Sequence, residues 1–180
     1  MFHRSERLFL RPVWPEDAEA VRSGIAHEGI VRNLATAPWP YTIADARAFI
    51  AVERPNRHPN FIVTLPGHGV VGSAGMGLDP ATGLLQCGYW IVREYSGRGF
   101  ATEATRALLT IARSLGHTVM TASHFVDNPA SGRVLRKAGF ESTGEVCMGH
   151  SLARGRIDPV ECYVVDLGRS IDNRPIEQAA

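Results

Sequence analysis

Past the midpoint of this chain a strand-like run, Leu84–Val92, gives way to a turn carrying Gly97 and Gly99 and then to a helical run, and that succession restricts the folds open to it. In REYSGRGFATEATRALL (93–109) the two glycines and Ala101 leave the main chain bare where the helix begins. A helix start presents about four N–H groups without an intrahelical partner, together with the positive end of the macrodipole, so it favours anions. Here the N–H groups of Arg98, Gly99, Ala101 and Thr102 can approach two linked phosphates around Gly97, and the Arg98 side chain adds a cation. Spacing separates three phosphate-binding patterns. The dinucleotide fingerprint G-x-G-x-x-G needs glycine at 102, where Thr stands, and belongs after a first strand. The triphosphate loop G-x-x-x-x-G-K-[ST] needs a Gly-Lys pair, which the chain lacks. What remains is x-x-G-x-G-x-A, Tyr95 to Ala101; taken alone it also fits an ordinary capping turn.

The flanking runs give this unit its setting. Arg7–Val13 (RLFLRPV) alternates apolar and polar residues and predicts a strand, followed by a helix opening at Pro15, Glu16 and Asp17 and running to about His27. Glu28–Tyr41 reads as a short helix and a Pro-punctuated turn; Thr42 then caps a helix, with Asp45 in the place of a capping-box acid. Phe61–Leu65 and Val70–Met76 form a hairpin around PGHG, and Leu84–Val92 is a third strand in which Gly88 marks a bulge or a close approach. After the glycine-turn helix come a strand at Thr118–Phe125, a helix at Pro129–Ala138, and strands near Glu145–Leu152 and Pro159–Leu167. That order predicts an α/β (α+β) sheet rather than a doubly wound one.

Composition narrows the function. Nineteen Lys+Arg against eighteen Asp+Glu leave a formal charge of +1 with no block of like charge, which argues against a nucleic-acid partner. Cys87, Cys147 and Cys162 are odd in number, widely spaced and lack a CxxC pair, so they predict reduced, mostly buried thiols and no metal centre. No run approaches the roughly 18 apolar residues of a membrane span, and the N-terminus lacks the apolar core of a signal peptide. The expectation is a cytoplasmic protein, 1–169 as one domain and 170–180 as a solvated tail.

A second motif sharpens the first. In DNPASGRVLRKAGF (127–140) Asn128 can cap a helix, Pro129 takes its first position and Gly139 ends it. Together, GYWIVREYSGRGFATEA (88–104), NPASGRVLRKAGF (128–140) and the opening RLFLRPVWPED (7–17) resemble the GNAT superfamily of acetyl-coenzyme A-dependent N-acetyltransferases, closest to its RimJ/RimL-like branch of ribosomal-protein N-terminal acetyltransferases. The resemblance spans roughly residues 5–168 and implies a bent, mostly antiparallel sheet whose fourth and fifth strands splay apart. It implies pantetheine pairing with main chain near Trp90 and Ile91, pyrophosphate at Gly97, Arg98, Gly99, Ala101 and Thr102, and contacts from Asn128 and Ser131.

The chemistry to be served is amide formation from a thioester. The amine must be unprotonated to attack, and the leaving thiolate gains from a nearby acid. Much of the superfamily places a tyrosine seven residues past the motif's asparagine, but that position is Leu135; the RimL-like branch places a serine three residues past it, and Ser131 stands there. The resemblance thus implies Ser131 as the group bonding the sulfur, with Asn128 bonding pantetheine or positioning the helix; the competing reading is a serine bonded locally in a first helical turn. Where relatives carry a glutamate, this chain has Gln86 and Ser123, so the base stays open among His124, His150, Glu161 and a water chain. Trp39 and Tyr41 in ATAPWPYT (35–42) and His150 in MGHSLARGR (148–156) would face each other as acceptor walls with Gln86 between them; Trp39 and Tyr41 read equally well as core packing. The leading expectation is acetyl transfer to a primary amine, a protein N-terminus or a small molecule, by direct attack, in a monomer or homodimer. A non-catalytic acyl-coenzyme A-binding module and an unrelated nucleotide binder are the alternatives.

Overall fold

In the computed structural model, which describes residues 1–80 and 82–168, the chain runs β1 (His3–Arg4), β2 (Phe9–Pro12), α1 (Ala18–Ile25), α2 (Glu28–Val31), α3 (Ile43–Ala51), β3 (Asn60–Leu65), β4 (Gly69–Leu78), β5 (Leu85–Ile91), α4 (Phe100–Ser114), β6 (Val119–Phe125), α5 (Pro129–Ala138), β7 (Glu141–Ser151) and β8 (Arg156–Asp166). The expected tail at 170–180 lies outside the described residues. Short 3-10 turns at Pro15–Asp17 and Arg93–Tyr95 lead into α1 and the glycine turn. Hydrogen bonding joins the described strands into one sheet of order β1-β2-β3-β4-β5-β6-β8-β7, antiparallel throughout except at β5 and β6. That is the mixed, mostly antiparallel architecture the motifs imply.

Side chains alternate across the strands and feed two separate clusters. Phe61, Val63, Leu85 and Cys87 face one side with Leu108, Leu109 and Ile111 of α4 and Leu135 of α5. Ile62 and Trp90 face the other with Val21 and Ile25 of α1, Tyr41 and Ala46. Gly24 lets α1 settle on that second face: a Cβ there would meet Val92 Cγ2 at 2.8 Å and Trp90 Cζ3 at 3.2 Å. Among the described residues no helix is long and apolar enough to cross a membrane.

Local signals translate directly in most places. Thr42 and Asp45 form a reciprocal cap, Thr42 N–H donating to Asp45 Oδ2 at 2.7 Å and Asp45 N–H to Thr42 Oγ1 at 3.3 Å. Three expectations need correction. The first helix begins at Ala18 behind a 3-10 turn rather than at Pro15 and stops at Ile25. Gly88 marks neither a bulge nor a close approach, because β4 and β5 stay in register from Gly72↔Ile91 to Leu78↔Leu85 and a Cβ at Gly88 would meet nothing within 4 Å; the irregularity falls at Val63/Thr64 instead. β7 starts at Glu141, earlier than Glu145, and the register shift between Ser142 and Val146 is what breaks the alternation there.

Candidate active site

β5 and β6 meet through one residue pair, Gln86↔Thr121, with Thr121 Oγ1 donating to Leu85 O at 3.1 Å, and then part. The hydrogen bond from Val92 N–H to Val71 O fixes the phase of the β4–β5 ladder. By alternation, the main chains of Gln86, Gly88 and Trp90 turn to β4, while those of Cys87, Tyr89 and Ile91 turn into the gap. Of the two residues implied as pantetheine partners, Ile91 therefore offers its main chain to the gap. Trp90 is paired with Ser73, and its ring is buried in the α1-side cluster.

The gap leads to the glycine turn. Gly97 has φ 77° and Gly99 φ 82°, the left-handed region that disfavours a Cβ, and Gly99 is the N-cap of the 15-residue α4. A Cβ at Gly97 would meet nothing within 4 Å, so the space above it is open. Among the described residues, no acceptor engages the N–H groups of Arg98, Gly99, Ala101 or Thr102, and no carboxylate pairs with Arg98. Arg98 lies over the Tyr95 ring at 5.4 Å. Such a cradle fits a diphosphate: bare main chain, unpaired donors, a helix dipole and a free-standing cation.

Arg7 braces the turn from β2's side. Its Nη1 donates to Arg98 O at 3.1 Å, its Nε to Glu103 Oε2 at 2.8 Å, and its guanidinium stacks on Phe100 at 4.6 Å. Glu103, in the first turn of α4, also accepts from Arg7 N–H at 2.7 Å and Ser5 Oγ at 2.8 Å. Burial pushes the Glu103 carboxyl up, but these donors outweigh it and hold it below its usual range. A carboxylate near the phosphate position is thereby matched before any phosphate arrives. Sequence reasoning missed this pair, and its signal was Arg7 and Glu103 lying within two of the three matched motifs.

At the other end of the gap stands α5. Asn128 occupies its N-cap, yet its side chain makes no capping bond and stays available; Ser131 N–H donates to Asn128 O at 3.1 Å. Ser131 Oγ does not bond within its own turn. It lies 2.7 Å from the phenol of Tyr89, across the gap on β5, while Leu135 is buried in the core. Tyr89 went unnoticed in the sequence, where it reads as one apolar strand residue. Gly132 brings this helix down on the sheet: a Cβ there would collide with His124 Nε2 and come within 3.1 Å of the Tyr163 hydroxyl.

His124 is buried on the α5 face, its Nδ1 2.9 Å from Phe125 O and its Nε2 3.3 Å from the Tyr163 hydroxyl and 3.4 Å from Glu161 Oε2. Arg136 Nη1 donates to that same hydroxyl at 2.7 Å. His124 and Glu161 are thus partners of one another, on the opposite face from Gln86, Thr121 and Ser123. On that opposite face Gln86 is half-buried and Tyr41 is buried among core residues, its phenol pushed up to about 12 by burial and by Asp45; Trp39 is exposed in the turn before it. His150, expected in the acceptor wall, is exposed but pairs with Ile157, which alternates in phase with Glu161 and Tyr163, so its side chain lies on the His124 face instead. The two segments expected as walls touch: Leu152 N–H donates to Ala35 O at 3.0 Å. The Arg154 side chain, 4% exposed, reaches Arg32 O at 2.6 Å, Asp127 Oδ1 at 2.7 Å and Asp158 Oδ2 at 2.9 Å, and stacks on Phe125 at 3.9 Å. A cavity of about 540 Å³ lined by Pro12, Ile50, Arg54, Pro59 and Phe61 contains none of the site residues implied by sequence.

Residues 7–141 match the family described as the acetyltransferase (GNAT) domain, three quarters of the chain and the whole of the gap, turn and α5. The chain belongs to the GNAT acetyltransferase family. Acetyl-coenzyme A is accordingly its acetyl donor. This GNAT acetyltransferase is 28% identical over 146 residues to the uncharacterized N-acetyltransferase YoaA of Bacillus subtilis (strain 168), covering 78% of this chain and 82% of that protein. Its fold is similar to the GNAT-family acetyltransferase of Bacillus anthracis, with TM-score 0.78 and 23% identity over 94% of this chain and 100% of that one. It is also similar to RimL, a ribosomal L7/L12 α-N-protein acetyltransferase solved with coenzyme A, with TM-score 0.76 and 18% identity over 92% and 98% of the two chains.

Proposed function

We propose that this GNAT enzyme acetylates an α-amino group, of a peptide or protein N-terminus as in the RimJ/RimL-like branch or of a small molecule, by direct attack within a ternary complex. The observation that carries the reading is the Ser131 hydroxyl, free of local helix bonds and set where the gap between β5 and β6 ends. In this reading the main chain of Tyr89 and Ile91 aligns the pantetheine arm, Gly97 to Thr102 with Arg98 hold the diphosphate, and Asn128 steadies the arm near its tip. Bound there, acetyl-coenzyme A supplies an activated acyl group and a thiol leaving group. Ser131 would donate a hydrogen bond to the sulfur as the bond to it breaks.

Two features favour direct attack on a weakly basic amine. Burial pushes the Cys87 thiol up to about 12, and burial with Cys147 beside it pushes Cys162 up to about 11, so neither is the thiolate that a covalent relay needs. Gln86, Gly88 and Ser123 leave the acceptor side of the gap without a carboxylate base. An α-amine, with pKa of about 8, already holds an appreciable unprotonated fraction at neutral pH, whereas a lysine side chain at about 10.4 does not. Trp39 would line the acceptor's approach, and water at Gln86 would take its proton.

The test is acceptor-dependent release of thiol from acetyl-coenzyme A across peptides with free N-termini, amino acids and aminoglycosides. Turnover with α-amines, and a Ser131→Ala variant that loses kcat while keeping its affinity for coenzyme A, is the expected result. Tight cofactor binding without turnover on any amine would instead make the protein a sensing module.

A further inference from the structure

Among the described residues the hydroxyl of Ser131 has a single side-chain partner, and it comes from the other lip of the gap. Tyr89 Oη lies 2.7 Å from Ser131 Oγ and 3.4 Å from Ser131 O, so the phenol is in contact with the first turn of α5. A phenol is a far stronger acid than an aliphatic alcohol, which favours the arrangement in which its one hydrogen goes to Ser131 Oγ at 2.7 Å over the longer one to Ser131 O at 3.4 Å. Accepting that bond polarises the serine hydroxyl and leaves its hydrogen for a different acceptor. The tyrosine that most of the superfamily would carry at position 135 is here a buried leucine, and the phenol that reaches Ser131 Oγ arrives from β5.

We propose that Tyr89 is a positioning residue for acetyl transfer: its phenol donates to Ser131 Oγ and commits the serine's own hydrogen to the thioester sulfur. The inference rests on the reading of Ser131 given above. Tyr89 packs against the α4-side core, and burial raises its phenol well above the ordinary value, which keeps the proton in place across the working pH range. No proton leaves Tyr89 in this scheme. The attacking nitrogen loses its proton to solvent, the C–N bond forms as the C–S bond breaks, and the sulfur, hydrogen-bonded by Ser131, leaves as thiolate and takes a proton from water.

The test needs no acceptor. A donor aimed at sulfur stabilises the thiolate, so coenzyme A bound to the wild-type protein should titrate below the free thiol; thiolate absorbance reports it, with the desulfo-coenzyme A complex subtracting the protein's own cysteines. Losing one neutral hydrogen bond in the chain should raise the bound thiol's pKa by roughly half to one unit in Tyr89→Phe. Ser131→Ala should raise it at least as much, and the double variant no further than Ser131→Ala alone. Introducing 3-fluorotyrosine at position 89, a stronger donor of nearly the same shape, should move it the opposite way, and this variant serves should Tyr89→Phe fold poorly. With a peptide acceptor, Tyr89→Phe should lower kcat roughly three- to tenfold with KM for acetyl-coenzyme A little changed. A shift in Ser131→Ala without one in either Tyr89 variant overturns the role of Tyr89 and leaves Ser131 standing. No shift in any of them removes Ser131 itself, and Tyr89 with it.

Discussion

Gly132 offers a test in which one substitution should change sign with its background. It lies inside α5, where alanine is favoured over glycine by about 1 kcal/mol. Against that, a Cβ there would collide with His124 Nε2 and sit 3.1 Å from the Tyr163 hydroxyl. Overpacking of this kind costs roughly 1–3 kcal/mol. In the wild-type protein Gly132→Ala should therefore be neutral to destabilising by about 2 kcal/mol, a fall in Tm of up to roughly 8 °C for a chain of this size. In a His124→Ala background the ring is gone, only the Tyr163 hydroxyl at 3.1 Å has to give by a few tenths of an ångström, and the same change should be neutral to stabilising by up to about 1 kcal/mol. Urea unfolding of the four proteins closes the cycle, with an expected coupling of roughly 1–3 kcal/mol between the two positions. Because Ser131 adjoins Gly132, Gly132→Ala should also lower turnover in the wild-type background and recover part of it when His124 is removed. A Gly132→Ala change that stabilises both backgrounds equally would refute the close seating of α5 on β6.

Gly99→Val forces a branched residue into φ 82°, at a cost of roughly 1–2 kcal/mol if the turn is to keep its shape, so coenzyme A affinity by calorimetry should drop about five- to thirtyfold. Arg154→Met releases the contact between 32–35 and 151–155; acceptor KM should rise by roughly three- to tenfold while coenzyme A affinity holds. At acid pH, Asp17 matters: burial pushes its carboxyl up, but Arg11 at 2.6 Å and Trp14 N–H at 2.8 Å outweigh that and hold it below its ordinary value. A folded pKa depressed below the unfolded value of about 3.9 gives stability that is full above that value and lost as pH falls through the folded one, so urea midpoints should decline below about pH 4, and less steeply in Asp17→Asn.

What the sequence discloses is mainly what is local. The Thr42–Asp45 cap, the two left-handed glycines before α4, and Pro129 and Gly139 at the ends of α5 are each set by neighbours a few residues away, and each is in place. The expectation for Asn128 is half met: it sits at the N-cap, but its side chain does not cap. Contacts between distant segments leave no such trace. Tyr89 meets Ser131 because β5 parts from β6 after one pair, and alternation alone does not say what a strand side chain finds on the far side. His124 joins Glu161 and Tyr163 through the β6–β8 register, which is fixed by pairing across a whole intervening helix and strand. Trp39 and Tyr41 lie two residues apart, yet one is exposed and the other buried, since the turn between them follows no strand or helix period.

The lone Gln86↔Thr121 pair also bears on mechanics. Threaded between β5 and β6 as proposed, the donor would do the work of an absent strand, adding main-chain partners along a seam whose two sides are otherwise joined by the shared core under α4 and α5. Hydrogen exchange at the Tyr89 and Ile91 amides would slow on loading, and release of the spent carrier would have to wait for that seam to unzip.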